Sequence, residues 1–223
     1  MIGRARFLDV LASLYIYNEH RGYSSIDRVL EAVLAKCPDE ADFIAAVRKH
    51  RADERKHYMM FRRWFELRGT KPYVVDRTCG HIDRLIHLTF GTGIDEMDTT
   101  AIVADDALFK RLCRIIMLTE QRGERQLEVL LHSPAVRSDK ALGRIFEVIR
   151  VDEPSHWQPY AGWLERHGGR RALRRERLAD WFVHKTLILV KLPLLYLNPR
   201  LPRRTDWLDP ADEVPRQGAS ASC

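Results

Sequence analysis

Two short stretches of the chain share one pattern: Asp53-Glu54-Arg55-Lys56-His57 and Asp152-Glu153-Pro154-Ser155-His156. On an α-helix, residues i and i+3 lie on one face, so each glutamate and its histidine can reach the same metal. Carboxylate oxygens combined with imidazole nitrogens suit iron, with manganese as the alternative. A metal-bound imidazole needs an acceptor on its other nitrogen, and Asp53 and Asp152 could supply one, each to the opposite histidine. Glu54 and Glu153 are 99 residues apart, as are His57 and His156, and Glu19 and Glu120 are 101 apart. The halves therefore read as copies of one helix pair, each with a lone glutamate followed by D-E-x-x-H. Four buried carboxylates in one layer would repel one another and lose their hydration. Two divalent cations would supply +4 against −4.

Four helices must position these groups, and helical periodicity dominates the sequence. The first is expected over about Arg4 to Lys36, with a break near Gly22–Ser25. Its seam is Leu8, Leu11, Tyr15, Glu19, Gly22, Ile26, Val29, Val33. Pro38 stops it, and Asp39 is placed to cap the second helix, about Glu40 to Arg68, with His50, Glu54 and His57 on its seam. A long connection over 69–104 holds a short helix near His81–Phe90 and a Gly91-Thr92-Gly93 turn. The third helix spans about Asp105 to His132 and the fourth about Asp139 to His167, which Gly168 ends. In antiparallel hairpins Glu19 falls within about 3 Å in height of Glu54 at roughly 1.5 Å rise per residue. Glu120 matches Glu153 better than Glu124 does, which leaves Glu124 as an extra ligand or a supporting group. Tyr15 and Tyr160 lie one turn from proposed ligands, as core filling or as supporting groups. His50, His81 and His87 read as core or surface histidines. Gly123 leaves space for O₂ or substrate. Pro154 should kink or bulge the fourth helix, because it removes a bond to the Arg150 carbonyl.

At these residues the sequence resembles the ferritin-like di-iron carboxylate superfamily, which includes bacterioferritins, rubrerythrins and hydroxylases acting on quinone precursors, hydrocarbons and tRNA. The resemblance covers about residues 5–165. It implies an all-α, ferritin-like four-helix bundle with one long crossover, and two iron ions held by Glu19, Glu54, His57, Glu120, Glu153 and His156. It also implies an oxygen-activating oxidase, a monooxygenase or hydroxylase. Its partners would be dioxygen, a small-molecule or lipid substrate, and a separate electron-donor protein, since the chain carries no flavin or iron–sulfur motif. Two other readings are an iron-handling ferroxidase or peroxidase, and a metal-free helical interaction module whose seam carboxylates pair with arginines.

The chain has 223 residues, 45% hydrophobic and 30% charged, which suits a globular helical domain of about 1–168 with an extension. Cys37, Cys79, Cys113 and Cys223 are scattered without a C-x-x-C pair. That excludes a zinc ribbon or rubredoxin-type site and reads as reduced thiols of a cytoplasmic protein. No signal peptide is expected at the N-terminus. Of the net charge of +6, residues 165–204 carry eleven Lys/Arg against three Asp/Glu, so the basic character belongs to one late segment. The extension, 169–205, is basic and then apolar. It reads as an additional helix packed on the bundle, as a homodimer contact, or as a membrane-surface contact through 181–204. A polar, disordered tail is expected over 206–223.

Overall fold

The computed structural model describes residues 3–169 and 172–209. The described residues are all-helical, with no strand and a single isolated pairing between Tyr73 and Arg203. Four long helices dominate: α1 (Arg4–Lys36), α2 (Ala41–Leu67), α5 (Asp106–Leu131) and α7 (Lys140–Arg166). Between them lie α3 (His81–Phe90), α4 (Thr99–Ala104) and α6 (Pro134–Arg137). The extension forms α8 (Arg174–Thr186), a π-helical turn (Leu187–Lys191) and α9 (Leu192–Leu197). Helix α1 packs along α2, α5 along α7, and α2 against α7.

The apolar residues on the four inward seams form two buried clusters with a polar layer between them. One holds Ile26, Val47, Phe109, Met117, Tyr160 and Trp163. The other holds Leu11, Ile16, Phe61, Leu127, Phe146 and Ile149. Every long helix passes from one cluster to the other through a charged residue, so a single layer of carboxylates and imidazoles crosses the core. The apolar layers on either side stabilise the molecule and flank the polar layer.

Local chemistry sets the helix ends. Asp105 and Asp139 cap α5 and α7, each accepting backbone N–H bonds from the first turn. Gly69 and Gly168, at φ +62° and +64°, follow α2 and α7 in the left-handed region that glycine adopts without strain.

Several expectations need correction. Helix α1 runs without a break through Gly22–Ser25, because its seam stays continuous there. Asp39 does not cap α2; Glu40 holds the N-cap position without a side-chain hydrogen bond. The extent of α7 stands as expected, the helix continuing through Pro154 and Pro159, so packing on both flanks holds it despite the lost backbone bonds. The 69–104 connection contains a second helix, α4, which Asp98 caps.

The extension is tied to the bundle. Two α8 carboxylates, Glu176 and Asp180, meet Arg114 and Arg122 of α5 at 2.7 and 3.1 Å. The chain after α9 returns along residues 72–74, where Val74 N–H donates to Pro202 and Arg204 N–H to Pro72. Trp207 and Leu208 pack against the second cluster, so the tail expected from 206 begins as packed chain. Residues 210–223 lie outside the described residues. No described helix is long and apolar enough to cross a membrane.

Candidate metal centre

One carboxylate enters the polar layer from each long helix: Glu19 from α1, Glu54 from α2, Glu120 from α5 and Glu153 from α7. Three histidines join them. Each turns one ring nitrogen outward to a hydrogen-bonding partner and the other inward.

His57 places Nε2 2.9 Å from Asp152, and its Nδ1 faces Glu19 at 3.3 Å. His156 places Nε2 3.4 Å from Asp53. Its Nδ1 faces Glu54 at 3.4 Å, Glu120 at 3.9 Å and Glu153 at 4.0 Å. Asp53 and Asp152 thus each sit against the histidine of the other motif. Lys56 bridges the two aspartates at 2.7 Å to each.

The third histidine is His50, which reads from sequence as a core or surface residue. It is buried, its Nδ1 lies 3.3 Å from the Tyr160 hydroxyl, and its Nε2 faces Glu54 at 3.6 Å and Glu120 at 3.7 Å. Its ring stacks on His156 with centroids 4.2 Å apart. The signal was present in the sequence: His50 lies one turn before Glu54 on the same seam. The inward nitrogens of all three histidines are buried without a hydrogen-bond partner, as is Glu153 Oε2. Such orphaned groups cost free energy unless something else binds them.

The potential donor atoms form two groups within metal-binding reach: His50, Glu54, Glu120 and His156 in one, and Glu19, Glu54 and His57 in the other. Glu54 belongs to both, the position of a bridge. Glu153 lies at the margin of the first group. Glu124 turns away and accepts a hydrogen bond from Trp157 Nε1 at 3.0 Å. Tyr15 packs on Phe61 and Phe146.

The electrostatics match a cation site. Burial, with repulsion from Glu19, Glu120 and Glu153, pushes Glu54 well above the usual carboxylate range. Burial and the neighbouring glutamates do the same to Glu153. Burial and the charge of Glu19 push Glu120 up to about 7. Burial, then the neighbouring imidazoles, holds His50 well below the usual histidine range, which leaves the neutral ring a metal requires. Burial also opposes charging of His57, but the hydrogen bond to Asp152 and the nearby Glu19 carboxylate overcome it and raise His57 to about 9. These shifts mark a layer short of positive charge.

Two glycines make room for the layer. A Cβ on Gly22 would stand 2.0 Å from Glu54 Oε2, and one on Gly123 would stand 3.0 Å from Glu153 Oε1. Each lies three residues after a site glutamate, in Glu19-x-x-Gly22 and Glu120-x-x-Gly123. The space expected beside Gly123 is therefore largely taken by the Glu153 carboxylate.

A cavity of about 110 Å³ adjoins the layer. All four glutamates line it and none of the three histidines does. Leu11 and Leu14 of α1, Ile82 of α3, and Leu187, Ile188 and Leu192 of the extension form its apolar wall; Asn18, Thr119, Arg122 and Gln126 are among its polar lining. The layer thus presents carboxylates to the cavity and keeps its imidazoles in the packed core. The chain matches no protein-family model, no curated protein and no solved structure.

Proposed function

We propose that this chain is a ferritin-like, oxygen-activating di-metal oxidase or hydroxylase, with iron in the site and manganese as the alternative. The observation that carries the reading is the set of three buried imidazoles, each oriented by an outward partner, aimed with four glutamates at one layer. The donor set fits a metal pair on two grounds: its inward nitrogens have no other partner, and its carboxylates need compensating charge. Glu19, Glu54 and His57 would hold one ion. Glu54, Glu120, His50 and His156 would hold the other, with Glu153 beside it. When bound, such a pair supplies one-electron chemistry toward O₂.

The chain's own residues do the rest. Asp53, Asp152 and Tyr160 fix the three imidazole orientations. The two apolar clusters keep bulk water from the layer. The cavity on the glutamate side admits substrate, and Leu11, Leu14, Ile82, Leu187, Ile188 and Leu192 select an apolar one. Hydroxylation of such a substrate places one oxygen atom in a C–H bond and releases the other as water. That balance takes two electrons and two protons, which a separate reductase must deliver.

Anaerobic loading with Fe²⁺ tests the reading. About two irons per chain are expected, with O₂ consumption on adding a reductant, and Glu54→Ala should lose both. Wild-type protein that takes up no Fe²⁺ would rule the proposal out.

A further inference from the structure

Helix α8 is amphipathic in the reverse of the usual sense. Its inward positions, spaced by three and four, are Glu176, Asp180 and Val183, continued by Leu187 of the π-helical turn, all buried. Its outward positions in the same spacing are Leu178, Phe182 and Lys185, continued by Leu189 of the π-helical turn, all exposed. Trp181, Val190, Leu194 and Leu197 extend the exposed apolar surface, with Trp181 at 55% and Leu189 at 66% exposure. A soluble surface helix normally places its charges outside and its apolar stripe inside.

The buried carboxylates explain the inversion and set the surface charge. Glu176 and Asp180 are the only acidic residues between 174 and 200. Both are consumed by inward pairs with Arg114 and Arg122. The outer surface of this segment therefore shows no negative charge. It shows five exposed cations, Arg174, Arg175, Arg177, Lys185 and Arg200, set among exposed aromatic and aliphatic side chains.

We propose that the outer face of α8, the π-helical turn and α9 docks this protein on an anionic lipid surface. Cations flanking an apolar stripe match that surface in both respects: the stripe enters the headgroup boundary and the cations meet the lipid phosphates. The segment lies on the membrane without spanning it, since no described helix is long and apolar enough to cross. A second copy of the chain matches poorly, because a self-paired contact would bring the five cations of each copy together. Leu187, Ile188 and Leu192 of the docked segment also wall the cavity. Docking would therefore hold the cavity at the lipid boundary, and the substrate class becomes membrane-dissolved molecules. That last step rests on the oxidase reading; docking itself does not.

Vesicle flotation of the full chain tests the docking. Protein should rise with vesicles containing phosphatidylglycerol, stay down with pure phosphatidylcholine, and release at high salt. Neutralising one exposed cation, as in Lys185→Gln, should weaken binding about fivefold. The double variant Trp181→Ser, Phe182→Ser should lose it; both residues are at least half exposed, so circular dichroism and metal content should not change. Failure of wild-type protein to float with anionic vesicles would overturn the proposal. So would a double variant that floats as well as wild type, or a dimer in sedimentation that the same variant dissolves. Metal content read on the same samples separates the two ideas: loaded protein that does not float removes docking alone, and floating protein that takes up no metal removes the oxidase reading alone.

Discussion

At the scale of the residue, the site depends on groups that bind nothing themselves. Gly22 is the sharpest case. A methyl there would drive the Glu54 carboxylate out of the layer, yet alanine favours the helix by about 1 kcal/mol. In Gly22→Ala, metal content should fall sharply while the thermal midpoint holds or rises. A parallel loss of both would mean that Gly22 serves the fold. Tyr160 offers a second test, because its hydroxyl is the partner that turns His50 inward. If His50 binds metal, Tyr160→Phe should weaken metal affinity about 10–100-fold, the usual effect of removing a group that orients a ligand. Titration of the variant with Co²⁺ or Fe²⁺ under anaerobic conditions reads this directly, and an unchanged affinity would return His50 to the core.

At the scale of the element, buried carboxylates tie α8 to α5. Glu176 is 1% exposed, accepts three hydrogen bonds from Arg114, and accepts a fourth from the backbone of Leu173 at the head of the helix. Removing it strands a buried guanidinium, at a cost of about 3–5 kcal/mol. Glu176→Ala should therefore loosen α8 while the four long helices persist. Hydrogen exchange should rise across 174–186 and stay low across α2 and α7. Uniform loss of protection would show that the extension and the bundle unfold as one unit. The π-helical turn at Leu187–Lys191 falls where the segment walls the cavity, and such turns recur at functional sites.

At the scale of the whole molecule, the polar layer links all four long helices, because each contributes at least one donor. Without compensating cations its carboxylates oppose burial. Metal should therefore stabilise the entire fold, by about 2.7 kcal/mol at a free concentration one hundred times the dissociation constant. Calorimetry with and without chelator should show one cooperative transition moving upward on loading. A midpoint insensitive to both Fe²⁺ and Mn²⁺ would count against the layer as a metal site. The same layer explains the arrangement of the core, since two apolar clusters must close it from both ends.

Local patterns were sufficient for much of this. The four long helices were readable because their apolar seams keep one period and because Asp105, Asp139, Gly69 and Gly168 punctuate their ends. Glu19, Glu54, His57, Glu120, Glu153 and His156 stood out because charge on such a seam violates the pattern, and the doubled spacing placed them at matching heights. The extended sequence around Arg174–Leu197 showed basic and apolar character, but which face carries which was not readable. Partners decide that: Arg114 and Arg122 lie about sixty residues earlier in the chain, and His81 about a hundred, and with them Glu176 and Asp180 turn inward. His50 was ambiguous for the same reason, since its role depends on Tyr160, 110 residues away. Sequence periodicity specifies which face of a helix is buried; only the assembled tertiary structure specifies what that face meets, and burial energies and pKa shifts follow from the meeting.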